Sequence, residues 1–170
     1  DSLLQSEPAR HFKRLFRQIV IITLTVEAVG ALVMFFSLLP GRAAGSAAWS
    51  AVFHAVSSFC NAGFSLFPHN LMDERSNHLF IAMAMVLVVL GGLGFIVLHE
   101  FSTEGRRALR RHPRSAVHRF SLHTNVVLRT SVVLTLGGTA ALLLFGLTSG
   151  EGTWSARIGA ALVQSISART

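Results

Sequence analysis

Long apolar runs alternate along this chain with short segments rich in small residues. Ile19 to Leu39 is 21 residues with one charge, Glu27. At about 1.5 Å per residue a helix over that run reaches roughly 30 Å, enough to cross a bilayer core. Leu79 to Leu98 is 20 residues without any charge, and Thr130 to Leu147 is a third charge-free run of 18. Starting the third at Val126 adds Arg129, whose stem can snorkel near a helix end. Between the first two runs, Trp49 to Phe59 allows only about three turns of helix, too few to span. Trp154 to Ala168 opens a second short amphipathic segment. The pattern predicts an all-α membrane protein built from helix–pore-loop–helix repeats. One repeat is complete and the first half of another follows. The predicted divisions are a polar-to-basic cytoplasmic segment over 1–17, a repeat over 18–98, a basic cytoplasmic loop over 99–123, and a second repeat opening over 124–170. Within the first repeat, spanning helices cover 18–39 and 78–98, a pore helix 49–59, and a filter strand 60–64. Within the second, a spanning helix covers 124–147 and a pore helix 155–168.

The decisive stretch is Ala51-Val52-Phe53-His54-Ala55-Val56-Ser57-Ser58-Phe59-Cys60-Asn61-Ala62-Gly63-Phe64-Ser65, which carries no formal charge. After Phe59 the residues Asn61, Ala62 and Gly63 interrupt the helical pattern. An unwound backbone exposes amide groups that lipid cannot satisfy, and it survives at membrane depth only inside protein or beside a water-filled cavity. The segment therefore reads as a re-entrant helix followed by an extended filter.

Composition supports the membrane assignment. Charged residues make up 14% and hydrophobic ones 51%, whereas soluble domains carry roughly 25% charged residues. The net charge of +7 and a pI near 11.6 would suit nucleic acid, but the charge is placed by loop. Arg10, Lys13, Arg14, Arg17, Arg106, Arg107, Arg110, Arg111, Arg114 and Arg119 fall on one side, and only Arg42, Arg75 and Arg157 on the other. The positive-inside rule assigns the first side to the cytoplasm, so the charge is topogenic and no nucleic-acid partner is expected. The short pore segment then dips in from outside. Loop 106–119 also offers contact with anionic lipid. One cysteine, Cys60, excludes an intrachain disulfide and argues against a cysteine-rich metal site. The start, Asp1 to Pro8, lacks a basic region before an apolar core, so no signal peptide is expected; it reads like the middle of a longer protein.

An internal repeat lies under this pattern. Val163-Gln164-Ser165-Ile166-Ser167-Ala168 aligns with Phe53-His54-Ala55-Val56-Ser57-Ser58 at a separation of 110. One such unit cannot enclose a hole, so several chains assemble or the sequence is a piece of a longer one.

With Phe59-Cys60-Asn61-Ala62-Gly63-Phe64-Ser65 in view, the chain resembles the TrkH/TrkG/KtrB superfamily of potassium transporters, matching that family's second pore loop. Ser121-Leu122-His123-Thr124 and Gln164-Ser165-Ile166-Ser167-Ala168-Arg169-Thr170 resemble the entry to its third repeat, whose filter would start at Thr170. The resemblance implies four repeats in one polypeptide around a pseudo-fourfold pore, a homodimer, and a cytoplasmic nucleotide-binding regulatory subunit of the TrkA/KtrA type. It implies potassium uptake across the inner (plasma) membrane by a multi-pass protein. No cofactor is expected in this chain: K+ is cargo, and nucleotide acts only through the regulatory partner. The first repeat, most of the third, all of the fourth, and the gating loop of the third fall outside it.

Potassium must shed water, and backbone carbonyls in an extended loop replace that shell in potassium channels. The expected filter is the carbonyls of Cys60, Asn61, Ala62 and Gly63. Gly63 is the residue free to adopt angles closed to others, and the negative end of the pore-helix dipole points toward the ion. A single glycine in the loop suggests looser discrimination against sodium than a TVGYG-type filter gives. Glu27, His54 and Phe64 are expected to support the filter. An unpartnered Glu27 at mid-span would cost about 2.5–3.5 kcal/mol, and a hydrogen bond to the pore loop would relieve it.

Blander readings stand beside these. Asn61 can be a loop-stabilising hydrogen bonder, and Cys60 a small buried residue. His54 and Ser57 share a helical face and could imitate a base and its nucleophile, which leaves an intramembrane hydrolase as an alternative. Pore-helix anchoring is the stronger reading, because no carboxylate lies nearby in sequence to orient the imidazole. Ser57→Ala would abolish hydrolysis but leave ion uptake largely intact. In a third alternative, a structural membrane subunit, Gly63→Ser would be nearly silent. His99-Glu100 lacks the second His of a zinc motif.

Overall fold

The computed structural model describes residues 2–110, 120–146 and 154–169. Within them the chain forms six α-helices: α1 (Ser2–Leu38), α2 (Ala44–Phe59), α3 (His78–Leu93), α4 (Phe95–Arg110), α5 (Leu122–Leu144) and α6 (Trp154–Arg169). Two helical stretches, Phe12–Gly41 and Leu122–Leu144, are long and apolar enough to cross a membrane. A third appears if α3 and α4 are counted together, although they meet at 101°.

α1 stops where Pro40 enters a single 3₁₀ turn, Leu39–Gly41, and the chain reverses through extended Arg42 into α2. At 16 residues, α2 is about 24 Å long, short of a bilayer core. Its buried face carries Ala47, Ala51 and Ala55 at four-residue spacing. Three side chains that end at Cβ let α2 approach its neighbours closely, as small residues do at helix contacts in membranes. The stripe packs into one core with Met34 and Leu38 of α1 and with Phe80, Ala84, Met85 and Leu87 of α3.

After α2 the chain is non-helical from Cys60 to His69, makes a 3₁₀ turn over Asn70–Glu74, and enters α3. Asn77 caps α3 by accepting from Phe80 N at 3.2 Å. Its Nδ2 donates to Ser37 O at 3.0 Å, which ties the foot of α3 to the end of α1. Arg42 closes the same corner: its guanidinium pairs with Glu74 at 2.7 Å and lies 4.4 Å over the Phe67 ring.

α6 repeats the bounds of α2 at the 110-residue separation, since 44–59 becomes 154–169. Ala161 is buried as Ala51 is, Ser165 Oγ donates to Thr135 O of α5 at 2.8 Å, and Ile166 reaches the core shared by α1, α2 and α3.

Several predicted boundaries differ: α1 is already helical from Ser2, ahead of 18, and α5 ends at Leu144, ahead of 147. The short helix begins at Ala44, five residues ahead of Trp49, because Ala-Gly-Ser-Ala-Ala continues it without a breaker. The run predicted as one helix over 78–98 breaks at Gly94, whose φ of +82° no α-helix accommodates. The stretch from His99, predicted as the start of a loop, is helical to Arg110. Arginine and alanine are good helix formers, and positive charge alone does not make a loop.

Candidate functional site

The site is the descending segment 60–66 and the groups that hold it. Its geometry starts with how α2 ends. Asn61 sits in the left-handed region at φ +52°. Asn61 N donates to Ser58 O at 3.2 Å and Ala62 N donates to Ser57 O at 2.9 Å. Together these form a Schellman cap with asparagine in place of the usual glycine. Asparagine tolerates this conformation better than other residues with a Cβ.

Beyond the cap, two α2 side chains clamp the returning backbone. Ser57 Oγ donates to Phe64 O at 2.7 Å and accepts from Phe64 N at 3.1 Å. His54 lies three residues earlier on the same face, 1% exposed. Its Nδ1–H donates to Ser50 O at 2.7 Å, which leaves Nε2 as an acceptor. Nε2 takes the Ser65 hydroxyl at 3.0 Å and the Leu66 amide at 3.4 Å. The ring stacks on Phe67 at 4.3 Å and meets Phe80 edge-on at 5.5 Å. His54 and Ser57 therefore act through separate partners, and neither addresses the other. That geometry removes the basis for reading them as base and nucleophile.

On the far side the segment meets α3. The Phe59 carbonyl oxygen lies 1.8 Å from where a Cβ on Gly91 would stand, so only glycine fits there. The Asn61 carboxamide, oriented to satisfy its neighbours, lies 3.2 Å from Val88 O and 3.3 Å from Gly92 N. Glu27 of α1 is half-buried, with Oε1 4.0 Å from Cys60 Sγ. Cys60, expected to be buried, is exposed because the cap turns it off the end of α2. Ala62, Gly63 and Phe64 are also exposed, Phe64 at 69%. Gly63 adopts φ +71°, and a Cβ there would meet nothing within 4 Å. Among the described residues, no N–H or O–H donates to the carbonyl oxygens of Cys60, Asn61, Ala62 or Gly63. Thr170, the expected start of the third-repeat filter, lies outside the described residues.

The residues sequence reasoning underused are Ser65, Asn77 and Glu100. Glu100 of α4 accepts from Ser121 N at 2.6 Å, from Ser121 Oγ at 2.8 Å and from Thr124 Oγ1. Ser121 Oγ in turn accepts from Thr124 N, so the carboxylate sits on the N-terminal cap of α5. His99 Nε2 lies 3.1 Å from Gln18 Oε1 of α1. A Ser-x-x-Thr entry to a helix marks the cap, but nothing in the sequence pairs it with a carboxylate 21 positions away.

Against known families, residues 2–167 match the model for TrkH, described as a cation transport protein. The chain belongs to the TrkH family. Its curated relatives include the potassium/sodium uptake protein NtpJ of Enterococcus hirae, 32% identical over 148 residues that cover 85% of this chain and 31% of that protein. The Ktr system potassium uptake protein B of Vibrio alginolyticus is 32% identical over 171 residues, covering 98% of this chain and 36% of that protein. The corresponding Bacillus subtilis protein is 31% identical over 71% of this chain and 25% of its own length. This TrkH-family chain thus spans about a third of the length of the curated relatives it matches. Its apolar helices suit a membrane protein.

Proposed function

We propose that this chain is one complete helix–pore–helix repeat and the opening of the next from a potassium uptake pore, with Cys60, Asn61, Ala62 and Gly63 lending their carbonyls to the cation. The observation that carries the reading is that these four carbonyls have no donor among the described residues, while the amides of Cys60, Asn61, Ala62 and Phe64 are tied to α2. Oxygens held in place and left unpaired at membrane depth suit a cation stripped of water. α2 ends directly before them, which sets the negative end of its dipole toward the segment. Glu27, His54 and Phe64 support the segment, and Thr170 opens the corresponding stretch of the next repeat.

Weak exclusion of sodium belongs to the same reading, supported by the single glycine of the loop and by the name of the Enterococcus relative. The working assembly is proposed as a homodimer of four-repeat polypeptides in the inner membrane, with a nucleotide-binding subunit of the TrkA/KtrA type on the cytoplasmic side. The Ktr naming of two relatives supports a multi-subunit system.

The test is Gly63→Ser in the full-length protein, with potassium uptake measured in cells that lack other potassium transporters. A side chain at φ +71° strains the backbone by about 1–2 kcal/mol without a steric clash, so the effect falls on carbonyl direction. Uptake or potassium-over-sodium preference should fall about tenfold, the equivalent of 1.4 kcal/mol. Unchanged uptake and preference would refute the carbonyl filter.

A further inference from the structure

The two atoms that meet the Asn61 carboxamide are not an arbitrary pair. Val88 O and Gly92 N are four residues apart on α3, so they are the two ends of one rung of its hydrogen-bond ladder. With Nδ2 donating to the carbonyl and Oδ1 accepting from the amide, the side chain engages the rung as a third peptide group would. Insertion of a side chain into the ladder is one of the few causes of a sharp helix bend. The bend lies two residues on, at Gly94. Inside that rung, Gly91 receives the Phe59 carbonyl, so the ends of α2 and α3 interlock.

Resting on the carbonyl-filter reading of the same loop, we propose that Asn61 is a selectivity-determining positioning residue acting through its side chain. Its carboxamide fixes the left-handed turn that aims the Cys60–Gly63 carbonyls to the same point of α3 at which the helix prepares to bend. Filter direction and the α3–α4 angle are then one geometric variable. α4 is itself held within its first two turns, by Glu100 on the cap of α5 and by His99 on Gln18. Asparagine alone among the simple choices serves both needs. Glycine takes the turn without the tether, and aspartate would aim an oxygen at the Val88 carbonyl.

The experiment uses the full-length protein in proteoliposomes and compares it with Asn61→Gly and Asn61→Asp. Rubidium uptake in competition with sodium reads selectivity, and hydrogen exchange of the peptide containing Gly92 reads the tether. Both variants should lower the preference for rubidium about tenfold and speed Gly92 exchange by a similar factor, the scale of a lost buried hydrogen-bond pair. Asn61→Gly keeps the turn at no steric cost, so its effect isolates the tether. Wild-type preference in Asn61→Gly would overturn the proposal. A changed preference with unaltered Gly92 protection would overturn it too, by confining the effect to the loop. If the unsubstituted protein moved no rubidium, the filter reading would fail by itself, and Gly92 exchange would still decide whether the tether exists.

Discussion

Ser57 grips Phe64 by both of its backbone groups, donating to the carbonyl at 2.7 Å and accepting from the amide at 3.1 Å. One hydroxyl thus holds the peptide groups on both sides of Phe64, next to Gly63. The sequence alone suggested that Ser57→Ala would leave uptake largely intact, and this contact revises that expectation. Ser57→Ala should destabilise the loop by about 1–3 kcal/mol, the cost of stranding a backbone pair. It should also lower potassium-over-sodium preference, while Ser57→Thr retains most of it. Uptake assays with both variants decide the matter. An alanine variant with full preference would show that Phe64 needs no clamp.

The close approach of Phe59 to Gly91 predicts an asymmetric response to alanine. Gly91→Ala places a methyl 1.8 Å from the Phe59 carbonyl, which must move. Overpacking of this kind costs about 1–3 kcal/mol or more, and the folded yield should drop. Gly137→Ala is the control: it lies mid-helix in α5 with nothing within 4 Å of the added carbon. By helix propensity it should stabilise by up to about 1 kcal/mol. Thermal melts in detergent compare the two.

The corner built on Arg42 joins the end of α1, the start of α2 and the foot of α3 through Glu74 and Asn77. Glu74→Gln keeps the shape and removes the charge. A loss of about 0.5–1.5 kcal/mol is expected, partly screened by salt. Asn77→Ala should cost more, about 1–2 kcal/mol, because it removes a helix cap as well as the tie to Ser37. Melting temperatures at low and high salt would separate the two contributions.

Glu100 should matter for the order of α5. With three donors on one carboxylate, Glu100→Gln weakens charge-assisted bonds. Faster hydrogen exchange at Thr124 and Asn125 is the expected sign. Exchange equal to wild type would mean that Ser121 caps α5 unaided.

In the turn after the Arg42 corner, the backbone amide of His69 holds the Asp73 carboxyl below its usual range, with the imidazole of His69 adding to the effect. A depressed carboxylate contributes stability above its unfolded pKa and loses it as pH falls through the lower, folded value. The 69–73 turn should therefore be ordered at neutral pH and loosen only in acid below the ordinary aspartate range. Asp73→Asn should flatten that dependence, which exchange measured across the acid range would report.

Much of the helical layout was legible because membranes impose length and apolarity. Runs from Ile19 and Val126 announce spans, and a helix stopping after Phe59 follows from Asn61-Ala62-Gly63. What stayed hidden was direction and long-range pairing. The glycines at 91, 92 and 94 offered close packing or a bend, with packing the stronger reading; hydropathy could not choose, and the structure shows packing at Gly91 and the bend at Gly94. Gly63 drew attention as the residue with unusual angles, yet Asn61 is the one that ends α2. Asparagine after the last helical residue is a cap signal that was available. The ties from Ser37 to Asn77 and from Glu100 to Ser121 join positions 40 and 21 apart, and such pairings leave no periodic trace.

The clamps of His54 and Ser57 bridge only seven to twelve positions, and the Arg42 and Asn77 ties about 32 to 40. Every one closes before α5 begins. Short loops close quickly and with little entropic loss, so this hairpin can take shape before α5 and α6 exist, and they would be added to a finished wall.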